Sequence, residues 1–236
     1  MARKTFKRRR LARKHPVMRA VAKQVVKTAL RSTVERKRFN ILPLDLSMGA
    51  TTFYQINPMQ AIVEGVEDYR RIGDKISNVR LQMGLMYYHV GTAPLGAQLW
   101  QGSKLRVLIV KSRRQLTPGG VVTDWKNEDP ISGQLPGLFL NAYQSTSSPV
   151  DTHNYTVLYD KTLAPSSTPN GGGNFGIPVV HRFSKTLAKS FRYVEGTSFG
   201  KFSNIYVIVS ASGVTGGNND TIGRLQTAAA ISWTDA

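Results

Sequence analysis

Fifteen lysines and arginines stand in the first thirty-eight residues against one acid, Glu35, and this segment holds +14 of the chain's formal charge of +18. The other 198 residues hold only +4. Side chains of this type in this density do one kind of chemistry: they neutralise phosphates or another polyanion. Arg3, Lys4, Lys7, Arg8, Arg9, Arg10, Arg13 and Lys14 form a polycation with nothing to bury, so residues 1–15 are expected to be flexible without a partner. The same cluster has the composition of a nuclear import signal.

From Pro16 to about Ser32 the spacing predicts a helix with Pro16 at its first position. Arg19, Lys23, Lys27 and Arg31 then step along one face, opposite Val17, Met18, Val21, Ala22, Val25, Val26 and Ala29. No Trp, Phe or Tyr interrupts the apolar face, which argues against a membrane-surface helix and for packing on protein. Lys37 and Arg38 extend the phosphate-binding set into the first strand.

Other constellations carry less. Gly196 to Lys201 is one residue short of a phosphate loop and places Phe202 where a magnesium-binding hydroxyl belongs, so it reads as a turn. Gly171-Gly172-Gly173 is a loop without a following helix. His153 near Asp151 and Asp160 is better explained by turn chemistry than by a catalytic dyad, and the chain has no Gly-x-Ser-x-Gly elbow. Glu64, Glu67 and Asp68 read as a solvated or inter-subunit acidic patch. The expectation is a protein that is not an enzyme. Phe39, Phe53, Tyr54, Tyr87, Tyr88, Phe191, Tyr193 and Tyr206 read as core and cross-strand packing. Arg80, Arg106 and Arg192 are the cations that would flank any base-stacking aromatic.

These side chains must be positioned by strands. The patterning predicts eight, over 37–48, 51–57, 76–90, 103–111, 154–163, 182–193, 203–211 and 224–234. Val79, Leu81, Met83 and Leu85 alternate with polar or small neighbours, as on a half-buried strand, while residues 205–211 are almost continuously apolar, as on one buried on both faces. Long connections at 112–153 and 164–181 are expected to serve function or assembly. The implied fold is an all-β antiparallel sandwich, for which the jelly roll is the eight-stranded form. It occupies residues 37–236 behind an arm of residues 1–36. The chain has no cysteine, which removes disulfides and thiolate zinc sites. No stretch approaches the roughly 20 apolar residues of a membrane span, and the charged N-terminus is unlike a secretory leader, so the sequons at Asn154 and Asn219 are expected to stay unmodified.

The basic arm, Tyr69-Arg70-Arg71-Ile72-Gly73-Asp74-Lys75-Ile76 ahead of a strand, and His153-Asn154-Tyr155-Thr156-Val157-Leu158-Tyr159-Asp160-Lys161 later in the chain together resemble the single jelly-roll capsid proteins of small circular single-stranded DNA viruses and of the satellite tobacco necrosis virus type. Met18-Arg19-Ala20-Val21, Lys37-Arg38-Phe39 and Thr234-Asp235-Ala236 resemble the satellite pattern in particular. The resemblance implies a virion component that self-assembles, about 60 copies to an icosahedral shell, with arms on a single-stranded DNA or RNA genome. Sixty arms at +14 would carry on the order of 10³ charges, comparable with a genome of ~10³ nucleotides. The arginine-rich cluster tilts the expectation to DNA and a nuclear phase, with host import factors and a receptor as further partners. A cellular nucleic-acid-binding protein of ribosomal or architectural type is the alternative.

No cofactor is required by this reading. The satellite-type relatives hold calcium between subunits through carboxylates, and Glu35 and Asp235 match those positions. Calcium takes about six to eight oxygens, so carbonyls around Ile72 to Lys75 and water would have to complete the shell. An ion pair with Arg36 or Arg38, or a free carboxylate, is the other reading.

Overall fold

Among the described residues of this computed structural model there are nine strands: β1 (Arg36–Gly49), β2 (Phe53–Ile56), β3 (Lys75–His89), β4 (Lys104–Ser112), β5 (Lys126–Asn127), β6 (Tyr155–Leu163), β7 (Val179–Arg192), β8 (Ile205–Ser212) and β9 (Thr221–Asp235). The structure describes residues 20–25, 36–49, 53–67, 69–89, 104–113, 125–127, 135, 137–140, 147–165, 177–212 and 221–235. The chain divides into two units, Met1–Arg36 and Lys37–Ala236. In the first, residues 20–25 are helical, and the remainder of the helix expected over 16–32 lies outside the described residues.

All eight expected strands are found, with ends displaced by a few residues. The ninth, β5, lies inside the expected long connection and pairs Tyr54 with Asn127 and Gln55 with Lys126, which satisfies backbone groups at the edge of β2. The strands form two sheets, ordered β1-β9-β3-β7 and β5-β2-β8-β4-β6. The ladders β2–β8, β3–β7, β3–β9, β4–β6 and β4–β8 are antiparallel. The protein is therefore all-β, with two antiparallel sheets in a sandwich arrangement.

Period-two alternation decides which side chains enter the core. Val79, Leu81, Met83, Leu85 and Tyr87 of the four-stranded sheet share one buried cluster with Leu105, Val107, Ile109, Val207 and Val209 of the five-stranded sheet. Each fully buried aliphatic contributes about 1.5–3 kcal/mol by transfer from water. β3 keeps its inward face across a bulge at Val79/Arg80. There Asn78 takes a positive φ of 54°, a conformation Asn tolerates better than most residues, and its amide donates to Thr234 Oγ1 at 3.2 Å. Aromatic rings meet at the β6–β7 edge, where Tyr159 stacks on Phe183 with centroids 4.4 Å apart.

Candidate nucleic-acid interface

Most of the expected phosphate-binding residues lie outside the described residues: Arg3, Lys4, Lys7, Arg8, Arg9, Arg10, Arg13, Lys14, Arg19, Lys27 and Arg31. Glu35 and Asp68 do as well. Lys23 is described and stands exposed on the helical turn, as do Val21 and Val25 from its apolar face. Arg38 is exposed on β1.

Lys37 departs from the expectation, and strand geometry is the reason. It points to the opposite face of β1 from Arg38 and is 4% exposed. Its ammonium donates to the Arg70 carbonyl at 2.8 Å and lies 3.0 Å from the Asp235 carboxylate, so it is spent inside the fold rather than offered to phosphate. Asp235, expected as a calcium ligand, thus faces a cation, while its Oδ1 is buried without a hydrogen-bond partner. Two carbonyls expected to complete the shell are engaged: Gly73 O accepts from Arg71 Nη1, and Asp74 O accepts from Tyr193 N. Among the described residues no three His, Cys, Asp or Glu side chains converge on a metal.

The acidic loop residues also find internal partners. Arg71, 1% exposed, pairs with Glu64 at 3.2 Å and Asp74 at 3.5 Å, and donates to the Thr197 carbonyl at 2.7 Å. Its guanidinium sits 4.1 Å from the Tyr193 ring centroid, while the Tyr193 hydroxyl donates to Met59 O at 3.0 Å and burial pushes its pKa up. One arginine therefore ties the β2–β3 connection to the turn after β7. Glu67 pairs with Arg70 at 3.1 Å. The carboxylates of Glu64, Glu67 and Asp74 thus take part in loop architecture.

Arg106 does not flank a stacking surface. It is 6% exposed, forks onto Asp160 at 2.8 and 2.6 Å, and donates to Ser148 O at 2.6 Å. Asp151 accepts from the His153 backbone N–H at 2.9 Å and from the Asn154 amide at 2.6 Å, and these bonds hold its carboxyl below the usual range. This is turn chemistry, as expected. Gly196 to Lys201 is a turn, with Gly196 at φ 68° and Val194 N–H donating to Phe199 O at 2.8 Å. Tyr87, Phe191, Tyr193 and Tyr206 are buried, and burial pushes Tyr206 up to about 12. These rings belong to the core rather than to a stacking platform. Among the described residues no helix is long and apolar enough to cross a membrane.

Arg80 and Arg192 are exposed, and both share the outer face of the four-stranded sheet with Arg38. Arg80 donates to Ser184 Oγ at 2.6 Å. Further cations on that face, Lys75 and Arg182 among them, escaped the sequence reading. Alternation could have placed them, because each neighbours an inward residue: Lys75 beside Ile76 and Arg182 beside Phe183. Compared with known proteins, the chain matches no protein-family model, and no curated protein sequence matches it.

Proposed function

We propose that this chain is a viral capsid protein: its sandwich is a jelly roll, copies assemble into a small icosahedral shell of about 60 subunits, and the basic arm packages a single-stranded genome, DNA in preference to RNA. The observation that carries the reading is the partition of charge, +14 in residues 1–38 against +4 in the remainder. A monomeric binder would be expected to spread its charge over the folded body. An arm-borne polycation on a nearly neutral body suits many copies converging on one polyanion, with sequence-tolerant phosphate contacts.

Strand order supports the jelly roll. With the two-residue β5 set aside, the sheets read β1-β9-β3-β7 and β2-β8-β4-β6, and every connection except β4 to β6 crosses from one sheet to the other. That is the wrapping of two Greek keys rather than of a meander. Negative-stain microscopy of the expressed protein tests assembly: uniform hollow particles are expected, and persistent monomers at high concentration would sink the shell in favour of a cellular nucleic-acid-binding protein. Nuclease digestion of nucleic acid extracted from the particles assigns the cargo. Deleting residues 1–31 is expected to leave the β body folded and remove most of the uptake; full encapsidation by the truncated protein would refute the role of the arm.

A further inference from the structure

The outer face of the four-stranded sheet presents Arg38, Lys75, Arg80, Arg182, Arg192 and Arg224. Among the described residues its only carboxylate is Asp45, which Arg224 engages at 2.6 and 2.9 Å. The bridge to Arg224 holds the Asp45 carboxyl below its ordinary pKa. That pair cancels, and the other cations have no ion-pair partner among the described residues. Lys75 stands directly opposite Arg192 in the β3–β7 register, and like charges in that relation destabilise a sheet unless an anion sits between them.

A groove of about 720 Å³ crosses this face, far more than the one or two waters, about 30 Å³ each, that a packing defect holds. Arg38 of β1 lines one side, Arg182 and Ser184 of β7 the other, and Gly84, Ala228 and Ala230 leave the floor low. A Cβ added to Gly84 would lie 3.7 Å from Arg182 Cγ, so the stem of Arg182 lies over the neighbouring strand. β1 and β7 are the two edges of this sheet, three strand spacings or roughly 14 Å apart.

We propose that this face is a second nucleic-acid-binding surface, separate from the arm, which holds the sugar–phosphate backbone of a single strand in the groove between Arg38 and Arg182. Charge complementarity selects the occupant. Guanidinium groups fork onto phosphate oxygens, and a floor of glycine and alanine lets a backbone approach closely. The inference deepens the packaging reading and rests on it: the arm would gather the strand while the sheet seats it.

The test uses the full-length chain, a fluorescent oligothymidylate of roughly 30 nucleotides, and anisotropy titrations over a range of salt. Arg38 and Arg182 are exposed, so the double variant Arg38→Gln with Arg182→Gln is expected to melt like the parent. Losing two phosphate contacts should make the log–log salt slope shallower by about 1.4 and lower the affinity at 0.1 M salt about 25-fold. The matching Lys pair, Arg38→Lys with Arg182→Lys, should keep the slope, because phosphate neutralisation needs the charge. Parental slope and affinity in the Gln pair would overturn the inference, and so would an equal loss in the Lys pair. A separate variant with Lys7, Arg8, Arg9 and Arg10 changed to Gln reports on the arm alone and should lose about 2.8 in slope. If it keeps the full slope, the arm reading fails while the loss in the sheet variant stands.

Discussion

The outer faces of the two sheets are finished in opposite ways. On the five-stranded sheet, the outward residues Leu108, Val110, Tyr206 and Ile208 are 0 to 2% exposed, because Leu135, Leu138, Phe139 and Val150 from the β4–β6 connection pack over them as a second cluster. On the four-stranded sheet, the outward positions of β3 and β7 carry Arg80, Gln82, Arg182, Ser184 and Thr186, all exposed. Arginine shows the contrast best. Arg106, under the connection, is paired with Asp160 and lies 5.5 Å from the Phe139 ring centroid, whereas Arg38 and Arg182 face solvent. A covered face stabilises the fold; the uncovered face leaves its cations in solvent.

Truncating one outward side chain on each sheet gives the largest expected contrast. Ile208→Ala removes a side chain buried between β8 and its cover and should cost about 2–5 kcal/mol in urea unfolding, the range for large-to-small core substitutions. Gln82→Ala, outward on the other sheet, should stay within about 0.5 kcal/mol. Equal costs at the two positions would mean that the four-stranded face is also covered in the folded protein.

The next contrast sets one arginine against another. Asp160→Asn removes the carboxylate onto which the buried guanidinium of Arg106 forks; because Asp160 is itself 38% exposed, the expected loss is discounted to roughly 1–3 kcal/mol. Arg182→Gln should change stability little and act on nucleic-acid binding instead. Chemical denaturation of the two variants side by side decides this, and a large loss in Arg182→Gln would show that the outer face has a structural role.

Strand positions were legible because they rest on local patterning. The alternation of Val79 to Leu85 and the apolar run over 205–211 both reappear as burial, with β8 buried at seven of its eight residues. Cations were the harder class. Nothing beside Lys37 or Arg106 marks them as internal, since their partners Asp235 and Asp160 are supplied by distant strands. For the same reason Lys37 and Arg38 read alike in sequence and differ in space: neighbouring residues on a strand face opposite sides. The cover over the five-stranded sheet was hidden in a connection whose apolar residues, Leu135, Leu138 and Phe139, follow no regular period. On the arm, the sequence reading stands beside a structure that describes only residues 20–25 and 36.

The smallest expected effect lies where the two sheets meet. His181 of β7 hydrogen-bonds to the Tyr159 hydroxyl of β6 and stacks 5.7 Å from Phe183. Desolvation by these rings, followed by the nearby charge of Lys161, lowers its pKa from the ordinary 6.5. Between the folded value and 6.5 the unfolded chain therefore binds more protons, and stability rises with pH across that window. The contribution is fully present above 6.5 and is lost as pH falls through the folded pKa, when an imidazolium must sit against Tyr159 and near Lys161. Thermal melts from pH 7.5 to 5 should show the parent losing Tm more steeply than His181→Gln, which cannot take up that proton. Parallel curves would show that this edge opens freely to water, and that the sandwich is held by its two covered clusters alone.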